Sequence, residues 1–119
     1  MAKILLVEDD PNHVRIVERI LSRSDHELIH VTSGEEALKC VAELYPDLVL
    51  LDMGLPDMNG QEVINKIGLL PTSPPIVAVT GDARINTVVR AMSFGCIGYI
   101  TKPIDTRTFL DDIERYIFW

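Results

Sequence analysis

Three carboxylates stand in a row at Glu8, Asp9 and Asp10, directly behind the apolar run "ILLV" and directly before Pro11. Like charges this close repel one another, and at the end of a buried segment they are partly shielded from water, so they need a positive partner. Polar groups also close three later apolar runs. Asp52 ends "LVLLD", Thr80 ends "IVAVT" with Asp82 two residues on, and Lys102 and Pro103 follow "GYIT". If the fold brings these places together, carboxylates, a hydroxyl and an ammonium share one pocket. Oxygen donors in that number suit a hard divalent cation. Mg²⁺ in particular takes a few carboxylates, keeps several waters and coordinates phosphate oxygens as well.

The elements that must position these groups are legible in the apolar pattern. Five β-like runs occupy 3–7, 27–31, 47–53, 75–80 and 97–101. Helical patterns lie between and after them. The first carries Val14, Val17 and Leu21 on one stripe, with Asp10 placed as N-cap and Pro11 at the first helical position, which accounts for one of the three acids. The second opens with "SGEE", where Ser33 and Glu36 have capping-box spacing, and continues through Ala37, Leu38 and Val41. The third runs over 61–69 with Val63, Ile64 and Ile67 inward, the fourth carries Ile85, Val88, Val89 and Met92, and the fifth Phe109, Leu110, Ile113 and Ile117. "LLVE" and "LVLLD" are apolar throughout rather than alternating, as expected of central parallel strands covered on both faces. A five-fold βα alternation predicts an α/β fold with an open, doubly wound parallel sheet. Such sheets place their sites beyond the carboxyl ends of the strands, where the first, third, fourth and fifth converge.

Composition narrows the function classes. At 119 residues and 47% apolar content the chain suits one domain over 1–119, and a net charge of -7 argues against direct binding to nucleic acid or to an anionic membrane surface. The apolar runs fall far short of the roughly 20 residues that span a bilayer. Met1-Ala2-Lys3 leads straight into a strand-like run with no signal-peptide pattern, so the expected location is cytoplasmic. Cys40 and Cys96 lack ligand spacing and read as small hydrophobes; His13, His26 and His30 lack it too and read as surface or partly buried residues.

In order and at matching intervals, "VEDDP", "PDLVLLDMGLPDMNG", "VAVTGDA" and "GYITKP" resemble the acidic pair, phosphoacceptor loop, hydroxyl strand and Lys-Pro signature of response-regulator receiver domains. The resemblance covers essentially the whole chain. It implies a flavodoxin-like (βα)5 fold with strand order 2-1-3-4-5. It also implies a two-component signalling switch that accepts a phosphoryl group from a histidine kinase or a histidine phosphotransfer protein. On that similarity Asp52 is the phosphoacceptor; Asp9 binds Mg²⁺ directly and Glu8 mainly through water, with the Gly54 carbonyl as a further ligand beside Asp52. Lys102 and Thr80 stabilise the phosphoryl oxygens, Pro103 follows a cis peptide bond, and Thr80 with Tyr99 forms the switch. The implied chemistry is self-catalysed phosphoryl transfer with slow autodephosphorylation, not turnover of a separate substrate. A single-domain regulator is the main reading and a receiver excised from a hybrid kinase or longer regulator its alternative.

Some residues depart from the family pattern. Gly81 stands where alanine is usual, Gly54 puts no side chain over the phosphate, and Asp82 adds an acid at the rim, so Gly54 and Asp82 are expected to tune phosphoryl lifetime. A Mg²⁺-dependent phosphohydrolase of the haloacid-dehalogenase type would need a second acid two residues after its nucleophile, where this chain has Gly54. A flavodoxin-like cofactor module would need a Ser/Thr/Gly-rich phosphate loop after the first strand, where this chain has carboxylates. Output is expected through the face of the fourth helix, fifth strand and fifth helix, toward a downstream protein or a phosphorylation-dependent homodimer. In "RYIFW", Tyr116, Phe118 and Trp119 fall off the core stripe and read as part of that docking face.

Overall fold

The computed structural model describes residues 2–53, 60–81, 92 and 95–117. Its centre is β1 (Lys3–Val7), β3 (Leu48–Asp52) and β4 (Ile76–Thr80), whose unbroken apolar runs are buried on both sides. Because side chains alternate along a strand, the runs split into two cores. Leu5, Val7, Val49, Leu51 and Ala78 face α2 (Gly34–Leu44) and α3 (Gly60–Gly68). Ile4, Leu6, Leu48, Leu50, Val77 and Val79 face α1 (Pro11–Leu21) and the C-terminal helix (Phe109–Ile117). With β2 (Glu27–Val31) and β5 (Gly98–Thr101) at the edges, all pairings are parallel and the order is β2-β1-β3-β4-β5, as the sequence predicts.

Helix starts follow the sequence closely. The Asp10 carboxylate accepts from the Asn12 N–H at 2.9 Å and caps α1, with Pro11 in the first turn. Ser33 caps α2, its hydroxyl accepting from the Glu36 N–H at 3.2 Å. The capping box differs in detail: Glu36 reaches one residue past the cap, accepting from the Thr32 hydroxyl at 2.9 Å and the Thr32 N–H at 3.4 Å. The third helical pattern is realised with Val63, Ile64 and Ile67 buried, while Leu69 lies beyond its end and is exposed. In the fourth pattern Ile85, Val88 and Val89 lie outside the described residues, and Met92 is exposed. Cys40 and Cys96 are buried free thiols, and burial pushes the Cys96 thiol up to about 11. Among the described residues, no helix is long and apolar enough to cross a membrane.

The C-terminal helix shows a contact that its apolar stripe does not. Tyr116 is partly buried against the second core, with its ring lying directly on Gly98 of β5. Its off-stripe position is accommodated because Gly98 offers no side chain, and Phe118 and Trp119 lie outside the described residues. A methyl at position 98 would collide with the Tyr116 ring, so Gly98→Ala is expected to destabilise by about 1–3 kcal/mol through overpacking. Gly68→Ala, at a helix end with nothing near the added carbon, should be neutral or up to about 1 kcal/mol stabilising. Urea unfolding of the two variants checks the contrast, and equal effects would contradict it.

Candidate functional site

Strand register delivers the polar residues to one end of the sheet. Val7 pairs with Leu51, so Glu8 and Asp52 follow on neighbouring strands; Asp52 pairs with Val79 and Thr80 with Thr101, so Lys102 leaves the sheet just beyond Thr80. Its N–H donates to the Thr80 carbonyl at 2.7 Å, and the Lys102–Pro103 peptide is cis. Glu8, Asp52 and Thr80 are the buried polar side chains among the described residues, at 2%, 7% and 8% exposure.

Lys102 Nζ sits between two carboxylates, 3.0 Å from Glu8 Oε2 and 3.3 Å from Asp52 Oδ1. Glu8 Oε1 also accepts from the Asp10 N–H at 3.2 Å. Exposed Asp9 completes the group: one oxygen each from Glu8, Asp9 and Asp52 lie within 4.8 Å of one another. Asp10 stands apart as the helix cap. Lys102 therefore answers part of the charge problem posed by the sequence. Its partners are Glu8 and Asp52 rather than Asp9, because the buried carboxylates end adjacent strands and Asp9 turns toward solvent.

Burial and neighbouring charge both act on this group. Burial raises the Glu8 carboxyl above its usual range, with the Asp52 charge adding to the rise, against the pull of Lys102 and the Asp10 amide. Burial alone would lower Lys102, but the hydrogen bond it donates to Glu8 and the charge of Asp52 outweigh it, and the ammonium is held above the usual lysine range. Both shifts favour added positive charge. Three clustered acidic oxygens, one side open to solvent and a deficit of cation together fit a hard divalent ion.

Other expected residues are placed less centrally. Tyr99 alternates outward on β5 between buried Gly98 and Ile100, and with Pro103, Asp112, Arg115 and Tyr116 lines a surface groove of about 660 Å³. Gly54 and Asp82 lie outside the described residues. Two histidines without any ligand spacing flank the acidic turn. His13 Nδ1 lies 3.3 Å from Asp10 Oδ2 and 3.7 Å from Glu8 Oε1, and His30 Nε2 donates to the Glu8 carbonyl at 2.9 Å. Only the β1/β2 register, which sets His30 beside Leu6, could have revealed the second contact.

Residues 4–114 match the family model described as the response regulator receiver domain. The chain belongs to this family. Like other receiver domains it is a phosphorylation-dependent signalling switch of two-component systems rather than a classical enzyme, and receiver domains work with histidine kinases and downstream targets. The polar-differentiation response regulator DivK of Brucella ovis is 34% identical over 116 residues, covering 96% of this chain and 94% of DivK. The CheY-like receiver domain protein of Methanospirillum hungatei is 29% identical with a TM-score of 0.89, covering 99% and 94% of the two chains. The receiver domain of sensor histidine kinase PA1611 from Pseudomonas aeruginosa, solved with a magnesium ion in its active site cleft, is 25% identical with a TM-score of 0.90, covering 99% and 98%.

Proposed function

We propose that Asp52 is the phosphoacceptor of this receiver and that Glu8, Asp9 and Asp52, with the Gly54 carbonyl, hold Mg²⁺ beside it. The observation carrying this reading is the ammonium of Lys102 shared between Glu8 and Asp52 beside three converging acidic oxygens. A carboxylate oxygen of Asp52 attacks phosphorus in line with a phosphohistidine nitrogen; the N–P bond breaks as the O–P bond forms. Bound Mg²⁺ supplies neutralisation of the charge on the transferring group. Lys102, already 3.3 Å from Asp52, follows the arriving phosphoryl oxygens, and the Thr80 hydroxyl, at the end of the next strand, donates to another. Loss of the phosphate to water is slow and needs no further protein group, with Gly54 and Asp82 setting its rate.

The switch couples Thr80 to Tyr99, and the groove beside Tyr99 belongs to the face read by a downstream protein or a second copy. Residues 1–119 act as one receiver domain in the cytoplasm, taking phosphate from a histidine kinase or a histidine phosphotransfer protein.

Mg²⁺ is expected to bind near the millimolar range, since it dehydrates reluctantly and the site fills only part of its octahedron. Asp9→Ala should weaken it most, because Lys102 already holds the other two acids while Asp9 is exposed. Titration followed by calorimetry tests this, and equal affinity in Asp9→Ala and wild type would remove the acidic pair from the metal site. For the output, Tyr99→Ala should leave phosphorylation of Asp52 nearly intact while abolishing the phosphorylation-dependent change in partner or dimer affinity. A binding change that persists at wild-type size would contradict the switch assignment.

A further inference from the structure

The turn that carries the acidic pair is held from β2 at two points. The Glu8 N–H donates to the Val31 carbonyl at 3.0 Å, extending the β1/β2 ladder by one rung. The next rung of a parallel ladder would put a backbone N–H on the Glu8 carbonyl, but β2 ends at Val31, where the chain turns into the Ser33 cap of α2. The carbonyl is met instead by a side chain, His30 Nε2, at 2.9 Å. A carbonyl oxygen only accepts, so Nε2 carries the hydrogen. The Glu8–Asp9 peptide is thereby fixed on both sides of Glu8, one residue before the acid that faces solvent.

We propose that His30 is a positioning residue for the metal site: its Nε2–H sets the plane of the Glu8–Asp9 peptide and so the direction in which Asp9 presents its carboxylate to Glu8 and Asp52. This rests on the reading of those three acids as the metal-binding group. His30 touches neither phosphate nor metal; it acts through the backbone of the acidic turn. Outer partners that orient metal ligands commonly change affinity by about 10–100-fold when removed, and a contact made through one peptide bond belongs at the lower end, about tenfold.

The test compares His30→Ala, His30→Leu and His30→Gln in the full chain. Glutamine places an amide donor near the position of Nε2, and leucine has similar bulk without a donor. Each is titrated with Mg²⁺ while amide resonances of Asp9 and Asp52 are followed, and each is melted without metal. Alanine and leucine should weaken Mg²⁺ about tenfold and displace the metal-free Asp9 resonance, and glutamine should recover most of both, whatever the order of melting temperatures. Unchanged affinity in the leucine variant, or equal loss in leucine and glutamine, would overturn the proposal. If the wild type takes neither Mg²⁺ nor phosphate, the site reading itself fails, and the metal-free Asp9 resonance still decides whether His30 orients the turn.

Discussion

Asp52→Asn is expected to take up no stable phosphate while keeping the fold. The substitution preserves shape and volume but removes the carboxylate that forms the O–P bond at the buried end of β3, 7% exposed. Glu8 and Asp9 are the neighbouring acids, the first held by Lys102 and the second exposed on the turn rather than at the strand end. In chelator the same variant should be the more stable protein, by on the order of 1 kcal/mol, because it removes one of two carboxylates competing for a single ammonium while Glu8 keeps Lys102 at 3.0 Å. Saturating Mg²⁺ should shrink that advantage, since wild type then gains binding energy the variant loses. A lower melting temperature for Asp52→Asn in chelator would contradict the charge-deficit account.

Lys102→Met should show the second large effect. It takes the ammonium away from Glu8, at 2% exposure, and from Asp52, and breaking a buried pair by removing one partner costs roughly 3–5 kcal/mol. The cost should depend on pH in a definite direction. The Glu8 carboxyl is raised in the folded protein by burial and by Asp52, so its contribution to stability is present below the ordinary carboxyl pKa and is lost as pH rises through the raised folded value. Without Lys102 that value rises further, so the variant should be least stable at pH above the raised folded value and approach wild type on acidification, where Glu8 takes a proton. Adding Glu8→Gln should restore much of the loss. Urea unfolding across pH tests this, and a pH-independent difference between Lys102→Met and wild type would show that Lys102 stabilises through packing of its stem instead.

Most of this fold could be read from apolar spacing, since the two-sided burial of β1, β3 and β4 leaves no alternation and the helices carry clean stripes between them. The site was legible for the same reason: polar groups at the ends of buried strands have little choice of where to point, so Glu8, Asp52, Thr80 and Lys102 converge once the strand order is known. What sequence could not rank was the pairing among them. The preference of Lys102 for Glu8 over Asp9 depends on a turn that buries one member of an adjacent acidic pair and exposes the other. The packing of Tyr116 was not legible because its partner is a missing side chain: Gly98 leaves the space the ring fills, and a helical stripe read alone does not show what lies across from it. His30 escaped notice because its contact is with a main-chain carbonyl, which no spacing of side chains encodes.

In the proposed function Asp52 becomes the aspartyl phosphate of a metal-assisted switch. Incubation of the wild-type chain with a small-molecule phosphodonor, with Mg²⁺ or with chelator, followed by intact mass and fragment mass spectrometry, tests it directly. The account predicts a single phosphoryl group per chain, located on the fragment containing Asp52, labile in base, dependent on Mg²⁺ and absent from Asp52→Asn. A phosphoryl group on any other residue, or modification of Asp52→Asn to the wild-type extent, would contradict it.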